Sequence, residues 1–345
     1  MRIVIMGTGP FAVPACQRVV AEGHTVPLVI TRPVADPTAK KQPPRPVFQW
    51  AQQAGLEIYE PASINEPAAV ERLADVKADL FFVCDYGQIL SRTALATARL
   101  GGINLHGSLL PRHRGAAPVQ WTLLSGDSQA GVTVIHMTPR LDAGPALSII
   151  STTIRPDESA AELEPRLAEI GVEATVAAID MLKHWDGVEQ LGELQDASLI
   201  TKAPRFSKAD GQLDFSRPAI ELERQVRACQ PWPGTFAELT WPDGKRMRLL
   251  VRAARGLPST LTALQGVAAG TAIALAADDL GSSRDPQRDW SAHWGQLLAV
   301  AAGSALEPKS TLLISRVQPA GKREMSVEEF LRGHPITGQA KFEVA

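Results

Sequence analysis

Cysteine is scarce in this chain, and the three cysteines that occur lie far apart. They are Cys16, Cys84 and Cys229, among 345 residues. An odd number at such spacing argues against a disulfide framework, and no Cys-x-x-Cys pair is present to begin a zinc site. The three are therefore expected to be small buried side chains.

Long apolar runs and a targeting leader are also missing. No apolar stretch approaches the roughly 20 residues that a membrane-spanning helix needs. The chain starts with a strand-like segment at residues 1–6, without a basic region or a cleavage site before it. We therefore expect a cytoplasmic protein. Its length and its 45% of hydrophobic residues suffice for two globular domains.

Neither sign of charge is in large excess, because the formal net charge is -2. The two parts of the chain nevertheless differ. Residues 201–345 hold 19 Lys and Arg against 15 Asp and Glu, which leaves 16 and 22 for residues 1–200. The second part is mildly basic, which suits contact with a phosphate backbone, although charge alone does not establish such contact.

The first 155 residues alternate strand-like segments with helix-like segments. This alternation is typical of an α/β fold with a doubly wound, Rossmann-like parallel sheet. A capping box, Ser159-x-x-Glu162, then opens a long amphipathic helix. The predicted strands are residues 2–6, 25–30, 78–83, 103–106 and 132–137.

The apolar pattern breaks after His184, so the polar residues that follow are predicted to link two domains. Beyond the linker, one amphipathic stretch precedes several β-rich segments, which favours a small antiparallel barrel. A polar stretch at 278–289 is expected to be a long loop. We therefore divide the chain into a catalytic domain at 1–185, a linker at 186–205 and a smaller β-rich domain at 206–345.

The segment 101–121 carries the strongest functional signal. Residues 103–106 are expected to form a short strand, so Asn104 and His106 lie on one face of it. Open α/β sheets bind their ligands at the carboxyl ends of such strands. Downstream, a loop after the next strand supplies the carboxylate of Asp142. An amide, an imidazole and a carboxylate are therefore expected to form one site.

Two other interpretations of these residues remain open. A lone histidine near a strand is more often a hydrogen-bonded structural residue than a catalytic one. The three residues could also be metal ligands, but asparagine binds zinc poorly and no second His or Cys lies at ligand spacing from His106. The nearby His113 is flanked by two arginines that would repel a cation. We therefore predict no metal site.

Several motifs resemble one protein family. Residues 102–118 read GINLHGSLLPRHRGAAP, and they are followed by Gly131-Val-Thr and by Leu141-Asp142-x-Gly144. Together these resemble the formyltransferases that use 10-formyltetrahydrofolate. Further likenesses extend the resemblance over nearly the whole chain, at residues 7–14, 85–90, 208–215, 227–234 and 318–325. The last three are similar to the branch of the family that acts on tRNA.

The resemblance implies both a fold and a reaction. The fold would be a Rossmann-like domain followed by an open, OB-like barrel that binds tRNA. The reaction would move a formyl group from 10-formyltetrahydrofolate, a cosubstrate rather than a bound cofactor, to the amino group of methionine on initiator tRNA. Asn104, His106 and Asp142 would be the catalytic residues. The expected partners are the tRNA and the folate, with no membrane, and we expect a monomer.

The resemblance also implies two segments that contact the folate. One is Ser108, Leu109, Leu110 and Pro111, and the other, beside the pteridine, is Tyr86, Gly87, Gln88, Ile89 and Leu90. Taken alone, the leucines would be ordinary core residues. Asp85 departs from the family, which commonly has a small residue at this position.

Contact with tRNA is expected from basic side chains in both domains. The loop after the second strand carries Lys40, Lys41 and Arg45, where relatives that formylate tRNA usually have an insert rich in glycine and basic residues. The glycines are missing here, so a solvated charged loop is the alternative. Lys245 and Arg246 are the candidates in the second domain.

A dinucleotide fingerprint supports a different function. Gly7-x-Gly9-x-x-Ala12 follows the first strand. An NAD enzyme also needs an acidic residue about 20 positions further on, and the second strand ends at Thr31-Arg32-Pro33 without one. Arg32 could bind a 2′-phosphate, so an NADP-dependent oxidoreductase remains an alternative.

Three further alternatives concern the acceptor. A formyltransferase that acts on an amino sugar, or a 10-formyltetrahydrofolate hydrolase, would keep the catalytic residues without the tRNA contacts. A non-catalytic RNA-binding module would use the barrel and tolerate the loss of Asn104. These functions differ in whether the formyl group reaches tRNA, a small amine, water or nothing.

Overall fold

A computed structural model of the chain describes residues 1–34, 36, 38, 43–276, 280, 295–303 and 308–343. The chain divides into two compact units. Unit 1 is Met1–Thr122, Asp127–Pro156 and Glu162–Arg205, and unit 2 is Leu123–Gly126, Asp157–Ala161 and Phe206–Ala345. Residues 186–205, predicted to be a linker, belong to unit 1. The domain boundaries themselves stay a prediction, and the predicted loop 278–289 lies outside the described residues except for Leu280.

Unit 1 is built on a seven-stranded sheet with the order β3-β2-β1-β4-β5-β7-β8. A small pair, β6 (Arg114–Gly115) and β9 (Lys202–Ala203), lies outside this sheet. The seven strands are β1 (Ile3–Gly7), β2 (Val29–Ile30), β3 (Ile58–Tyr59), β4 (Leu80–Cys84), β5 (Gly102–His106), β7 (Gln129–His136) and β8 (Ala146–Thr153).

The direction of the strands changes within this sheet. Strands β1 to β5 are parallel, as the sequence predicts. The predicted strand at 132–137 overlaps β7, which is antiparallel to β5 and forms an antiparallel pair with β8. The prediction of a parallel strand here is wrong. The loop 137–145 joins β7 directly to β8, and antiparallel strands can be connected without a crossover helix.

The central strands of unit 1 consist almost entirely of buried apolar residues. Every residue of β1 and of β4 is buried, which is typical of parallel strands covered on both faces. One core cluster packs side chains of these strands with Ile64, Leu73 and Leu95. The helices of unit 1 are α1 (Val13–Ala21), α2 (Pro46–Gln53), α3 (Pro67–Val76), α4 (Arg92–Leu95), α5 (Pro118–Ser125) and α6 (Ala160–Lys183), the last two having a few residues in unit 2.

Unit 2 contains the predicted antiparallel barrel. Six strands pair in the order β11-β10-β16-β12-β13-β14, and β14 also pairs with β11, so the barrel closes. The family resemblance implied an open barrel. The unit's strands are β10 (Thr235–Thr240), β11 (Arg246–Leu257), β12 (Thr271–Ala276), β13 (Gln296–Gly303), β14 (Pro308–Pro319), β15 (Met325–Ser326) and β16 (Ala340–Glu343).

Two helices accompany the barrel, α7 (Ala219–Ala228) and α8 (Val327–Gly333). The barrel core includes Leu222 and Val226 from α7 and Phe330 from α8. A buried ion pair links α7 to β11, because Glu223 Oε1 lies 3.3 Å from Arg255 Nη1. Among the described residues, no helix of either unit has the length and apolarity that crossing a membrane requires.

Candidate active site

A cavity of about 350 Å³ opens at the carboxyl ends of β4 and β5. This volume is within the usual range for small-molecule sites. Asn104, His106 and Asp142 all line it, as do the five residues 86–90. The structure therefore brings together the three predicted catalytic residues and one of the two predicted folate segments.

The imidazole of His106 has a defined orientation. It is 6% exposed, and its Nε2 lies 2.9 Å from the carbonyl oxygen of His113. A carbonyl oxygen can only accept, so Nε2 carries the hydrogen and donates it. The other nitrogen, Nδ1, faces Asp142 Oδ2 at 3.8 Å. Nδ1 is therefore the nitrogen available for chemistry.

The Asp142 carboxylate is fixed by its backbone surroundings. Its residue has a φ of 48°, and Oδ2 accepts a hydrogen bond from the Gly115 N–H at 2.9 Å. Two residues further on, the backbone of Gly144 packs against the backbone of His136, and a β-carbon at position 144 would overlap the His136 carbonyl oxygen. The distance of 3.8 Å to His106 is too long for a direct hydrogen bond. It is short enough for proton exchange through a substrate atom or one water molecule.

Asn104 is half-buried in the middle of β5. Its strand neighbours are Val83 on β4 and Ile135 on β7. Within the described part of the chain, its side-chain amide has no hydrogen-bond partner. The amide N–H is therefore free to donate to a ligand in the cavity.

Residues 86–90 form a ledge of the cavity after β4. Gln88 ties this ledge to the neighbouring loop, since its Oε1 accepts from the Ile64 N–H at 2.8 Å. Asn65 donates to the carbonyl oxygen of Ile89 at 2.8 Å. The Tyr86 side chain is buried, which raises the pKa of its hydroxyl. The Ile89 side chain, in contrast, is 55% exposed. An exposed apolar side chain on a rigid ledge suits a flat ring such as a pteridine.

The other predicted folate segment, residues 108–111, does not line this cavity. Ser108 is fully buried, and its hydroxyl donates to the Arg112 carbonyl oxygen at 2.7 Å. The Leu110 N–H donates to Thr133 Oγ1 at 3.1 Å, and the Leu110–Pro111 peptide bond is cis. This turn leads into the His113 carbonyl that orients His106. A folate contact by Ser108, Leu109, Leu110 and Pro111 stays a prediction.

The sequence analysis missed a residue that holds the loop carrying Asp142. Gln195 lies in the segment predicted to be a linker, yet its Nε2 donates to the carbonyl oxygens of Asp142 and Gly144. Arg114 in turn donates to Gln195 Oε1 at 2.7 Å. The segment around Gln195 has no apolar period, so nothing in the sequence signalled this contact.

Four further charged residues line the same cavity: Asp85, Arg140, Glu164 and Arg205. The Asp85 carboxylate lies against Gly9, and a β-carbon at position 9 would overlap its Oδ2. The carboxylate thus occupies the space beside the dinucleotide fingerprint and would repel a pyrophosphate placed there. The observed turn therefore disfavours an oxidoreductase. Only Asp85 was marked by the sequence, as a departure from the family.

The predicted tRNA-binding residues are distributed over both units. Lys40 and Lys41 lie outside the described residues. Arg45, in unit 1, pairs with Glu60 and stacks on the Phe48 ring. In unit 2, Lys245 lies 5.3 Å from the centre of the Trp241 ring, and Arg246 pairs with Glu238 at 3.3 Å. Their role in tRNA binding stays a prediction.

Comparison with known proteins assigns the class. Residues 1–179 match the formyl transferase family, and residues 205–281 match the formyl transferase C-terminal domain. The chain therefore belongs to the formyl transferase family. Among the described residues, no group of three or more His, Cys, Asp or Glu is placed to hold a metal ion.

Curated relatives of high sequence identity are named as one enzyme of this family, methionyl-tRNA formyltransferase. A methionyl-tRNA formyltransferase of Rhodopirellula baltica is 45% identical, covering 98% of this chain and 95% of its own. Another, of Methylococcus capsulatus, is 37% identical over 98% and 99%. Among solved structures, the N-formyltransferase from Helicobacter canadensis in complex with folinic acid and dTDP-3-aminofucose has a TM-score of 0.60 at 13% identity, covering 92% of this chain and 98% of its own. At that identity the likeness shows the fold alone.

Proposed function

We propose that this chain transfers the formyl group of 10-formyltetrahydrofolate to the α-amino group of methionine on initiator tRNA. The observation that carries the proposal is the 45% identity to a methionyl-tRNA formyltransferase over 98% of the chain, which extends through both units. We further propose that the enzyme acts as a monomer in the cytoplasm.

The site suits the charge that develops in this reaction. Attack of an amine on the formyl carbon makes the carbonyl oxygen negative, and a hydrogen-bond donor aimed at that oxygen is worth about 3 kcal/mol in comparable sites. The free amide N–H of Asn104 supplies one donor. His106 supplies a second from Nδ1 when it is protonated.

The His106–Asp142 pair handles a proton of the reacting nitrogen. The His113 carbonyl accepts from Nε2 and so fixes Nδ1 toward the Asp142 carboxylate, 3.8 Å away. The pair can therefore take a proton from the attacking nitrogen and deliver it to N10 of the folate as the C–N10 bond breaks. Because the two groups act as a unit, we assign this step to the pair.

We propose that residues 86–90 hold the pteridine and that the β-rich domain holds the tRNA by its phosphates. The candidates for the contact with the tRNA phosphates are Lys245, immediately before β11, and Arg246, its first residue. Both side chains are exposed, as phosphate contacts require. Chemistry would then reside in the first domain, 1–185, and acceptor binding mainly in residues 206–345.

A labelling assay tests the reaction. Full-length protein is incubated with 10-formyltetrahydrofolate labelled in the formyl group and with methionyl initiator tRNA, a nucleotide-linked amino sugar, or no acceptor. The label should enter the tRNA only. Labelled sugar would instead identify an amino-sugar formyltransferase, and formate released without an acceptor would identify a hydrolase.

Salt dependence tests the tRNA contact. The KM for tRNA should rise steeply with salt, because log affinity falls with a slope of about −0.9 for each phosphate neutralised. Lys245→Ala and Arg246→Ala should each reduce that slope by about 1. Lys183→Ala, which removes a surface lysine paired with Asp180 in unit 1, is the matched control. A flat salt response would contradict the proposed role of unit 2.

A further inference from the structure

Asp85 brings a second carboxylate into the cavity, beside the strand that carries His106. Val83 of β4 is the register partner of Asn104 of β5, and Asp85 follows directly after the end of β4 at Cys84. Asp85 lines the same cavity as Asn104, His106 and Asp142. Asp85 and His106 are therefore two ionisable groups that border one reaction space.

The position of Asp85 depends on Gly9, in the turn after β1. Asp85 has a φ of 50°, which is uncommon for a residue other than glycine. Its carboxylate lies against Gly9, and a β-carbon at position 9 would overlap Asp85 Oδ2. The carboxylate thus fits only because position 9 is glycine. Backbone conformations of this kind concentrate at functional sites.

The charged surroundings of Asp85 tune its ionisation. Its side chain is open to the cavity, while protein encloses the cavity on the other sides. The protein around the cavity partly desolvates the carboxylate and, together with Glu164 of α6, raises the pKa of Asp85 to about 6, against the opposing effects of Arg205 and the Gly9 N–H. Arg140 is a further charged residue that lines the cavity. Burial raises the pKa of the thiol of Cys84, the residue before Asp85. Asp85 is therefore mostly ionised at pH 7.

The acceptor must lose two protons, and the catalytic pair accounts for one. An α-amino group has a pKa of about 7.7 to 8.0 and is mostly cationic at pH 7. Only the neutral amine attacks, so one proton leaves before the N–C bond forms and a second leaves afterwards. The His106–Asp142 pair moves the second proton to N10. The first must go either to solvent before binding or to another base in the cavity.

We propose that Asp85 binds the α-ammonium group of the acceptor and takes its first proton. This assignment rests on the proposed function. One N–H bond of the ammonium breaks, its electron pair stays on nitrogen, and an O–H bond forms on Asp85. The neutral amine then attacks the formyl carbon, the C–N10 bond breaks, and Asp85 releases its proton to water after the product leaves.

The Asp85→Asn variant separates charge from structure. An asparagine keeps an oxygen that can accept from the Gly9 N–H, but it can neither pair with an ammonium nor take a proton. We expect kcat/KM for methionyl-tRNA to fall about 10- to 30-fold at pH 6.5, because only a few per cent of the amine is neutral there. The variant must use amine that is already neutral, so its deficit should disappear above about pH 8.5. Wild-type activity should decline below about pH 6, as Asp85 protonates, and folate affinity should not change.

Two further variants keep the test decisive. Glu164→Gln removes a negative charge that raises the pKa of Asp85, so the acid limb of the pH profile should move to lower pH. This shift can be measured even if Asp85→Asn fails to fold. Gly9→Ala should displace the carboxylate and impair the wild type, yet cost little further activity in an Asp85→Ala background.

The outcomes distinguish this inference from the proposed function. If the wild type formylates methionyl-tRNA and Asp85→Asn matches it in kcat/KM across the pH range, Asp85 has no such role. An unmoved acid limb in Glu164→Gln would also overturn the assignment. If the wild type itself fails to formylate methionyl-tRNA, the proposed function is wrong instead.

Discussion

The side-chain amide of Gln195 donates a hydrogen bond to the backbone carbonyl of Asp142 at 2.8 Å. A second bond, to the Gly144 carbonyl at 2.7 Å, clamps the loop on the other side of the carboxylate-bearing residue. The position of Asp142 relative to His106 therefore depends on a residue in a different part of the sequence, and Gln195 is a positioning residue.

Replacing Gln195 with alanine should lower kcat about 10-fold, because small misplacements of a reacting group cost much of its effect. The KM for folate should change little, since Gln195 does not line the cavity. Asp196→Ala, which removes only the cap of the short turn at 197–199, is the matched control. An equal loss in both variants would mean that the segment acts through general stability.

Replacing Asn104 with alanine should lower kcat by about 100-fold or more, because it removes a donor to the developing negative charge. Asp142→Asn should have a similar effect while still accepting from the Gly115 N–H. Folate affinity, measured by titration, should be nearly unchanged in both. Near-normal turnover in the two variants would contradict the catalytic assignment.

Removing Glu223 should destabilise unit 2 by about 3 kcal/mol, because Arg255 would then be buried without this partner. Both side chains are almost completely buried, and Glu223 Oε2 also accepts from the Gly256 N–H at 2.8 Å. Chemical denaturation of Glu223→Ala measures the loss. Glu221→Ala, which breaks an exposed pair with Arg217, should cost far less.

Asp127 should stabilise the protein at neutral pH and lose this effect in acid. Partial burial would raise the pKa of its carboxyl, but hydrogen bonds from His113 Nε2 and Arg112 outweigh burial and hold the pKa below its ordinary value. A carboxyl whose pKa is depressed in the folded state stabilises the fold when the pH is above its unfolded pKa of about 3.9. This stabilisation is lost as the pH falls through the folded-state pKa.

Asp127→Asn should therefore lower the free energy of unfolding at pH 7 by about 1 kcal/mol, a modest value because Arg112 is largely exposed. The difference from the wild type should shrink as the pH falls below about 4. Denaturation curves across this pH range measure it. A constant difference would show that the charge of Asp127 is not the cause.

The sequence predicts the features of this site that depend on local pattern. Alternation along a short strand places Asn104 and His106 on one face, and both line the cavity. The spacing of strand-like segments also predicts the β-rich second unit. The closure of its barrel through β11 and β14 joins residues more than 50 positions apart, so no local pattern indicates it.

The remaining features of the site come from contacts between distant polar segments. Gln195 and Thr201 reach the Asp142 loop and the His113 N–H from a stretch with no apolar period. The reversal at β7 depends on the route of the connection rather than on composition. The sequence marks Asp85 as a departure from the family, but its contact with Gly9 joins two distant parts of the chain and cannot be predicted from local pattern.

Closure of the barrel determines how unit 2 can meet a partner. Each of its six strands has a hydrogen-bonded neighbour on both sides along part of its length, so these strands offer fewer unpaired backbone groups to an incoming chain than the edges of an open sheet. We therefore expect recognition on the barrel wall to depend mainly on side chains, for which Lys245 and Arg246 are the proposed candidates. Single substitutions on such a surface can change which partner it prefers, while the hydrogen-bonded backbone of the barrel stays the same.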